Sequence, residues 1–288
     1  MTETAPNLPA NNIFYQECLH HLQTQALILP SIPDIALKIR RAISDPKTNI
    51  QQISRIVQVD PSITARLIQI ANSPLYQGRR KTESCPEALT RLGLKTAQNI
   101  ITAIAIRTVF TAKTELIRQK MLSLWAHSSS VAAISAVLAH KTPGFDPDRA
   151  MLAGLIHDIG LVPILTFADQ HPELLNHPEH LAETVRALRI PLGKAIMHKW
   201  DFPDDFAVVI HHAEDWFRDS GASPTYADVV MIAQLHSFIG KADSRKMPKL
   251  QDLPAYSKLV SGELNADLSI NILDQARDEI EHVRKLLQ

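Results

Sequence analysis

Val59-Asp60-Pro61-Ser62-Ile63-Thr64-Ala65-Arg66-Leu67-Ile68-Gln69-Ile70-Ala71-Asn72-Ser73-Pro74-Leu75-Tyr76 holds one short helix with both ends written into it. Asp60 is a good N-cap, and Pro61 suits the first helical position, where a backbone N–H has no partner to lose. Ile63, Leu67 and Ile70 recur at helical spacing and supply one apolar face. Asn72-Ser73-Pro74 stops the run.

The same punctuation recurs on both sides. Upstream, Ser31-Ile32-Pro33-Asp34 predicts a helix start with Ser31 as cap, and Ile35, Ile39, Ala42 and Ile43 line one face before Asp45-Pro46 ends it. Thr48 with Gln51 forms a capping-box pattern ahead of the stripe Ile50, Ile53, Val57. Downstream, a basic turn (Tyr76 to Thr82) precedes the cap Ser84-Cys85-Pro86-Glu87. Gly93 marks a break, because glycine takes the left-handed conformation cheaply. A long apolar helix follows from Thr96 to about Phe110, then helices near 115–140, 148–159, 179–188 and 226–240. Residues 241–268 are rich in Lys, Pro, Ser and Asp and read as a surface connection. A last amphipathic helix near 270–287 carries Leu273, Ala276, Ile280, Val283 and Leu287 and docks on the body. Strand-type alternation is absent, so the fold class is all-α. The helices at 96–110 and 122–139 are too apolar to be exposed and are expected to form the seam between two parts of one body.

Composition narrows the class. The chain has 288 residues, 45% apolar and 21% charged, enough to bury a substantial core. Its 30 basic and 30 acidic residues cancel, so no global field draws it to nucleic acid or an acidic membrane. Two distant cysteines, Cys18 and Cys85, offer neither a disulfide framework nor a zinc ribbon, which suits a reducing, cytoplasmic setting. Residues 1–12 read as a flexible polar start without the apolar core of a signal peptide. The continuous apolar stretches near Ile100–Ile106 and Val131–Ala139 fall short of the roughly 18 residues of a membrane span.

Thirteen histidines are many for this length, and three placements stand out. His157-Asp158 closes an apolar helix just before Gly160, where two adjacent side chains can reach one ion. His211-His212 is a second pair near a helix end, and His127 lies mid-helix before three serines. Imidazole and carboxylate suit a divalent metal that activates water. Packed or surface roles account for His20, His21, His171, His177 and His180, and they remain open for His157-Asp158.

The stretches Leu29–Pro33, Val59–Tyr76 and Ala88–Gly93, followed by Trp125–Ser130, Ala153–Gly160 and Lys199–His212, closely resemble the HDOD domain, the HD-related output domain. The resemblance covers about residues 13–240, divided into an N-terminal helical part (13–110) and an HD-like helical part (111–240), with 241–288 as connection and docked helix. It implies a bacterial signalling role and kinship to the HD and HD-GYP metal-dependent phosphohydrolases. It implies as candidate metal ligands His127, His157, Asp158, His211 and His212. Two positions depart from the superfamily: Arg189 stands where a histidine is common, and Gln234 where a final aspartate is common. Arginine repels a cation and glutamine is a weak ligand. Asp228, six residues from Gln234, sits about 120° away on a helix, and His198 is near the face opposite Arg189 if that helix is continuous. The expectation is a non-catalytic module that binds a signalling partner or small regulator, with no assigned cofactor beyond a candidate divalent ion. Arg189 is expected to pair with Asp158 or to hold an anion. The alternative is a metal-dependent phosphohydrolase acting on a nucleotide or cyclic dinucleotide. After His211-His212 the chain reads Ala213-Glu214-Asp215-Trp216, without Gly-Tyr-Pro, which argues against the HD-GYP type. A nucleic-acid role for Arg79-Arg80-Lys81 and the helices beside it is set aside, since those helices need their apolar faces for the body.

Overall fold

The computed structural model describes residues 12–76, 78–239, 247–260 and 277–287. Among them every regular element is helical and no strand occurs. The first half holds α1 (Ile13–Gln23), α2 (Asp34–Ser44), α3 (Ile50–Gln58), α4 (Pro61–Ala71), α5 (Cys85–Leu92) and α6 (Leu94–Ile106), the last tightening into a 3-10 turn at Arg107–Val109. The second half holds α7 (Glu115–Lys141), α8 (Pro147–Ile156), α9 (Leu161–Gln170), α10 (Pro178–Lys199), α11 (Asp204–His212) and α12 (Tyr226–Ser237). Two further helices follow, α13 (Pro254–Val260) and α14 (Arg277–Leu287).

Local signals account for most of the starts. The Asp60 carboxylate accepts from the Ser62 and Ile63 amides at 2.9 and 3.1 Å. Ser84 accepts from the Glu87 amide. Gly93, at φ +78°, ends α5 and opens α6. Two expected caps move. Ser31 caps nothing: α2 begins at Asp34, behind Pro33. The capping box is Asn49 with Gln52, not Thr48 with Gln51; the Asn49 amide donates to Gln52 at 2.8 Å and the reverse bond is 3.0 Å. Both registers fit the pattern, and asparagine is the better cap.

The expected seam also moves. Helix α6 packs on α2 and α4 on one side and on α8 on the other, while α7 packs on α8, α9 and α12. The halves therefore meet chiefly through α8 rather than through α6 against α7, and a single apolar core runs through both. Helix α1, expected in the first part, lies against α10 of the second. Phe14 meets Phe167 edge-on at 5.5 Å, and buried Asn12 donates to the His180 carbonyl and to Glu183. Asn12 is thus fixed rather than part of a flexible start; residues 1–11 lie outside the described residues. Of the connection, residues 247–260 are described, and there Leu253, Ala255, Tyr256 and Leu259 are buried, so this part joins the core instead of lying wholly on the surface. Val283 and Leu287 are buried on α14, which docks on α7 and α4 as expected; Leu273 and Ala276 lie outside the described residues.

Two helical stretches, Glu115–Lys141 and Pro147–Gln170, are long and apolar enough to cross a membrane, unlike the shorter runs read from sequence. Their most apolar windows are 72% and 89% buried among the other helices, which is the role of core helices.

Candidate functional site

Helix α8 ends at Ile156, and His157-Asp158 occupy the turn that leads into α9. This turn lies unusually close to α10. A Cβ on Gly160 would sit 1.9 Å from the Arg189 carbonyl oxygen and 2.8 Å from the Gly193 nitrogen. Only glycine permits that approach, and it carries Arg189, one turn before Gly193, to Asp158.

His127 on α7, His157 and Asp158 each bring one ligand atom within 4.8 Å of the others. His157 Nδ1 donates to the Gly154 carbonyl at 2.7 Å, which fixes the proton on that nitrogen. Its Nε2 is then directed elsewhere: it is buried, has no hydrogen-bond partner among the described residues, and lies 3.3 Å from Asp158 Oδ2. His127 Nε2 is 3.9 Å from the same oxygen, and its ring stacks on Phe238 at 5.4 Å. A lone pair facing a carboxylate is unfavourable, so His157 Nε2 calls for either a proton or a cation. Burial alone would lower the His157 pKa, but Asp158 beside it raises it above the ordinary value. Burial acts against the Asp158 charge as well, yet His157, Arg189 and His127 hold its carboxyl well below the usual range.

The other Asp158 oxygen belongs to Arg189. Arg189 Nη1 donates to Oδ1 at 3.0 Å, and the same guanidinium grips Glu214 in fork geometry, 2.5 Å from Nη1 to Oε1 and 2.6 Å from Nη2 to Oε2. Burial lowers the Arg189 pKa less than Asp158 and Glu214 raise it. Gln234 on α12 donates to Glu214 at 3.4 Å, while its buried Oε1 has no partner among the described residues. With His157 protonated, two carboxylates face two cations and the cluster is neutral.

His211 and His212 do not join the 4.8 Å group. His212 pairs instead with Asp215 at 3.1 Å near the surface. Asp228 is turned away, bonding Thr225 and Ser220, and α10 runs unbroken through Pro191 from Pro178 to Lys199, so His198 stays off the Arg189 face. Glu214 is the residue that sequence reasoning missed. It sits beyond α11 in no recognisable pattern, and only the arrival of Arg189 gives it a role. His177, Glu179 and His180 form a second group within 4.8 Å, on the exterior.

A cleft of about 830 Å³ opens onto the cluster. His127, Asp158, Glu214 and Gln234 line it together with Lys120, and Leu161, Leu181 and Val185 give it an apolar wall.

The HDOD domain matches residues 29–216. This chain belongs to the HDOD family. A solved Shewanella amazonensis SB2B protein, provisionally named a metal-dependent phosphohydrolase, is 27% identical, with a TM-score of 0.80 over 95% of this chain and 98% of that one. An HDOD domain protein of unknown function from Geobacter sulfurreducens, 24% identical, shares the fold at a TM-score of 0.68 over 96% of each chain. An uncharacterised protein of Treponema pallidum is 25% identical over 203 residues, 64% of this chain but only 37% of that relative's length. The HDOD chain thus spans well under half of that relative.

Proposed function

We propose that this HDOD protein is a cytoplasmic signalling module that binds a partner protein or small regulator and does not catalyse hydrolysis. The observation that carries this reading is the Arg189 guanidinium 3.0 Å from Asp158. A hydrolytic metal centre needs anionic ligands to hold the ion and acidify its water. Here the carboxylate nearest the imidazoles is bound to a fixed cation that cannot deprotonate. Gln234 contributes no charge, and Glu214 is engaged by the same arginine. The residues therefore do not fit a hydrolytic metal centre. The cleft above them is the natural place for a regulator, since its volume is that of small-ligand sites and its wall is apolar.

A second reading, a metal-dependent phosphohydrolase, is favoured by one observation: His157 Nε2 is buried without a hydrogen-bond partner among the described residues and faces a carboxylate and a second imidazole. Turnover separates the two. The purified protein, supplied with Mn²⁺, Mg²⁺, Fe²⁺ or Ni²⁺, is expected to leave nucleotides and cyclic dinucleotides intact. Metal-dependent hydrolysis that disappears in Asp158→Ala would overturn the binding reading.

A further inference from the structure

The stretch His171-Pro172-Glu173-Leu174-Leu175-Asn176-His177-Pro178-Glu179-His180 carries His-Pro-Glu twice, six residues apart. Short histidine-rich tracts suit metal ions. In each copy the histidine Nδ1 lies against Oε1 of the glutamate two residues on, at 3.2 Å for His171–Glu173 and 3.1 Å for His177–Glu179. The copies then diverge. His171 packs its ring on Phe167 at 4.4 Å and on His21 at 5.8 Å. His177 faces His180 instead, with ring centroids 4.8 Å apart. Among the described residues only the second copy gains a third ligand: His177, Glu179 and His180 each bring one ligand atom within 4.8 Å of the others.

The backbone beneath this group is fixed, although His177 and Glu179 are exposed. Buried Asn12 donates to the His180 carbonyl at 3.0 Å, and the Thr184 hydroxyl donates to the same oxygen at 2.8 Å. Leu174, Leu175 and Leu181 pack against the core on either side. Little order therefore has to be created when an ion binds. A cation beside the first turn of α10 meets the unfavourable end of the helix dipole, and Glu179 supplies the anion that offsets it. The Glu179 amide, and then His177 and His180, hold that carboxyl below the ordinary carboxylate range, so it is ionised at neutral pH.

We propose that His177, Glu179 and His180 bind a divalent transition ion of the zinc class on the exterior of the protein. Two imidazoles and one carboxylate favour Zn²⁺, Ni²⁺ or Cu²⁺ over Mg²⁺ and Ca²⁺, which prefer all-oxygen sites. Zinc bonds of about 2.0–2.2 Å leave two ligands of one ion up to roughly 4 Å apart, so small side-chain rotations close the group. Three protein ligands leave a further position to solvent. Such an ion exchanges with solution and departs when free metal is removed. The group shares no residue with the Asp158 cluster, so it stands or falls independently of the reading of that cluster.

Zn²⁺ itself is the probe, titrated into the untagged full chain against a fluorescent zinc chelator. One equivalent is expected to bind with a dissociation constant of about 10 µM or tighter, and excess Mg²⁺ should not displace it. His177→Gln, Glu179→Gln and His180→Gln should each weaken it at least about tenfold, with circular dichroism showing that each variant keeps the parent's helix content. Glu173→Gln, in the first copy, and Asp158→Ala, in the buried cluster, should leave it unchanged. Three results would overturn the proposal. One is no equivalent tighter than about 100 µM. Another is an equivalent that survives in the folded double variant His177→Gln/His180→Gln. The third is an equivalent lost in Asp158→Ala, which would place the ion at the buried cluster.

Discussion

Arg189 and Arg107 carry the same guanidinium into opposite surroundings. Arg189 is mostly buried in the second half and meets two carboxylates. Arg107 is exposed at the edge of the first half and faces another arginine. Arg189 finds its counter-charges within the fold and so closes the site that Asp158 would otherwise offer to an ion.

The largest expected effect tests the closed cluster. Arg189→Met should cost about 3–5 kcal/mol, because it takes from buried Asp158 its one permanently charged partner. Arg107→Gln should stay within about 0.5 kcal/mol, as surface changes generally do. Urea unfolding of both variants checks the contrast, and equal losses would erase it.

Two buried histidines extend the comparison to pH. His236 on α12 is pushed down by burial from 6.5 to about 4. Its folded pKa lies below its unfolded one, so its contribution is complete above about pH 6.5 and is lost as pH falls toward 4, by about 3 kcal/mol in all. His157, raised by Asp158, has the opposite sign: its contribution is present below its ordinary pKa and is lost as pH rises through the folded value. His236→Leu should flatten the stability profile between pH 4 and 6.5; an unchanged acid limb would contradict the assignment.

Gly160→Ala comes next, at about 1–3 kcal/mol, since the added methyl meets the Arg189 carbonyl and must push α10 away. A melting temperature equal to the parent's would show that the approach is looser than described. The smallest effect belongs to the Arg66–Arg107 pair. Arg107 acts against the Arg66 charge, so raising salt from low to moderate should stabilise the parent by a few tenths of a kcal/mol more than it does Arg107→Gln.

The helical fold was legible because its signals are local. Asp60, Ser84 and Gly93 punctuate the chain whatever surrounds them. Thr48 and Asn49 show the limit: adjacent polar residues present the same cap pattern, and one residue of register is below what the pattern resolves. Pro191 shows another. The sequence reading ended that helix near residue 188, yet α10 continues through Pro191 to Lys199, with Leu188, Leu192 and Ile196 all buried on one face. The site was half legible. His127, His157 and Asp158 fall within a recognisable family pattern, and the pairing of Arg189 with Asp158 follows from charge. Glu214 was invisible, since its role depends on the Gly160–Gly193 approach that no local pattern encodes. His211 and His212 were expected at the site on resemblance alone, and they lie outside the group that proximity defines.

The central claim is that Arg189 takes the place of a metal ion at Asp158. Elemental analysis of untagged protein, after incubation with Mn²⁺, Fe²⁺ or Ni²⁺ and removal of free ion, tests it directly. The parent should retain far less than one ion per chain, and Arg189→His combined with Gln234→Asp should retain close to one. A parent that already holds one or two ions per chain, lost in Asp158→Ala, would contradict the account.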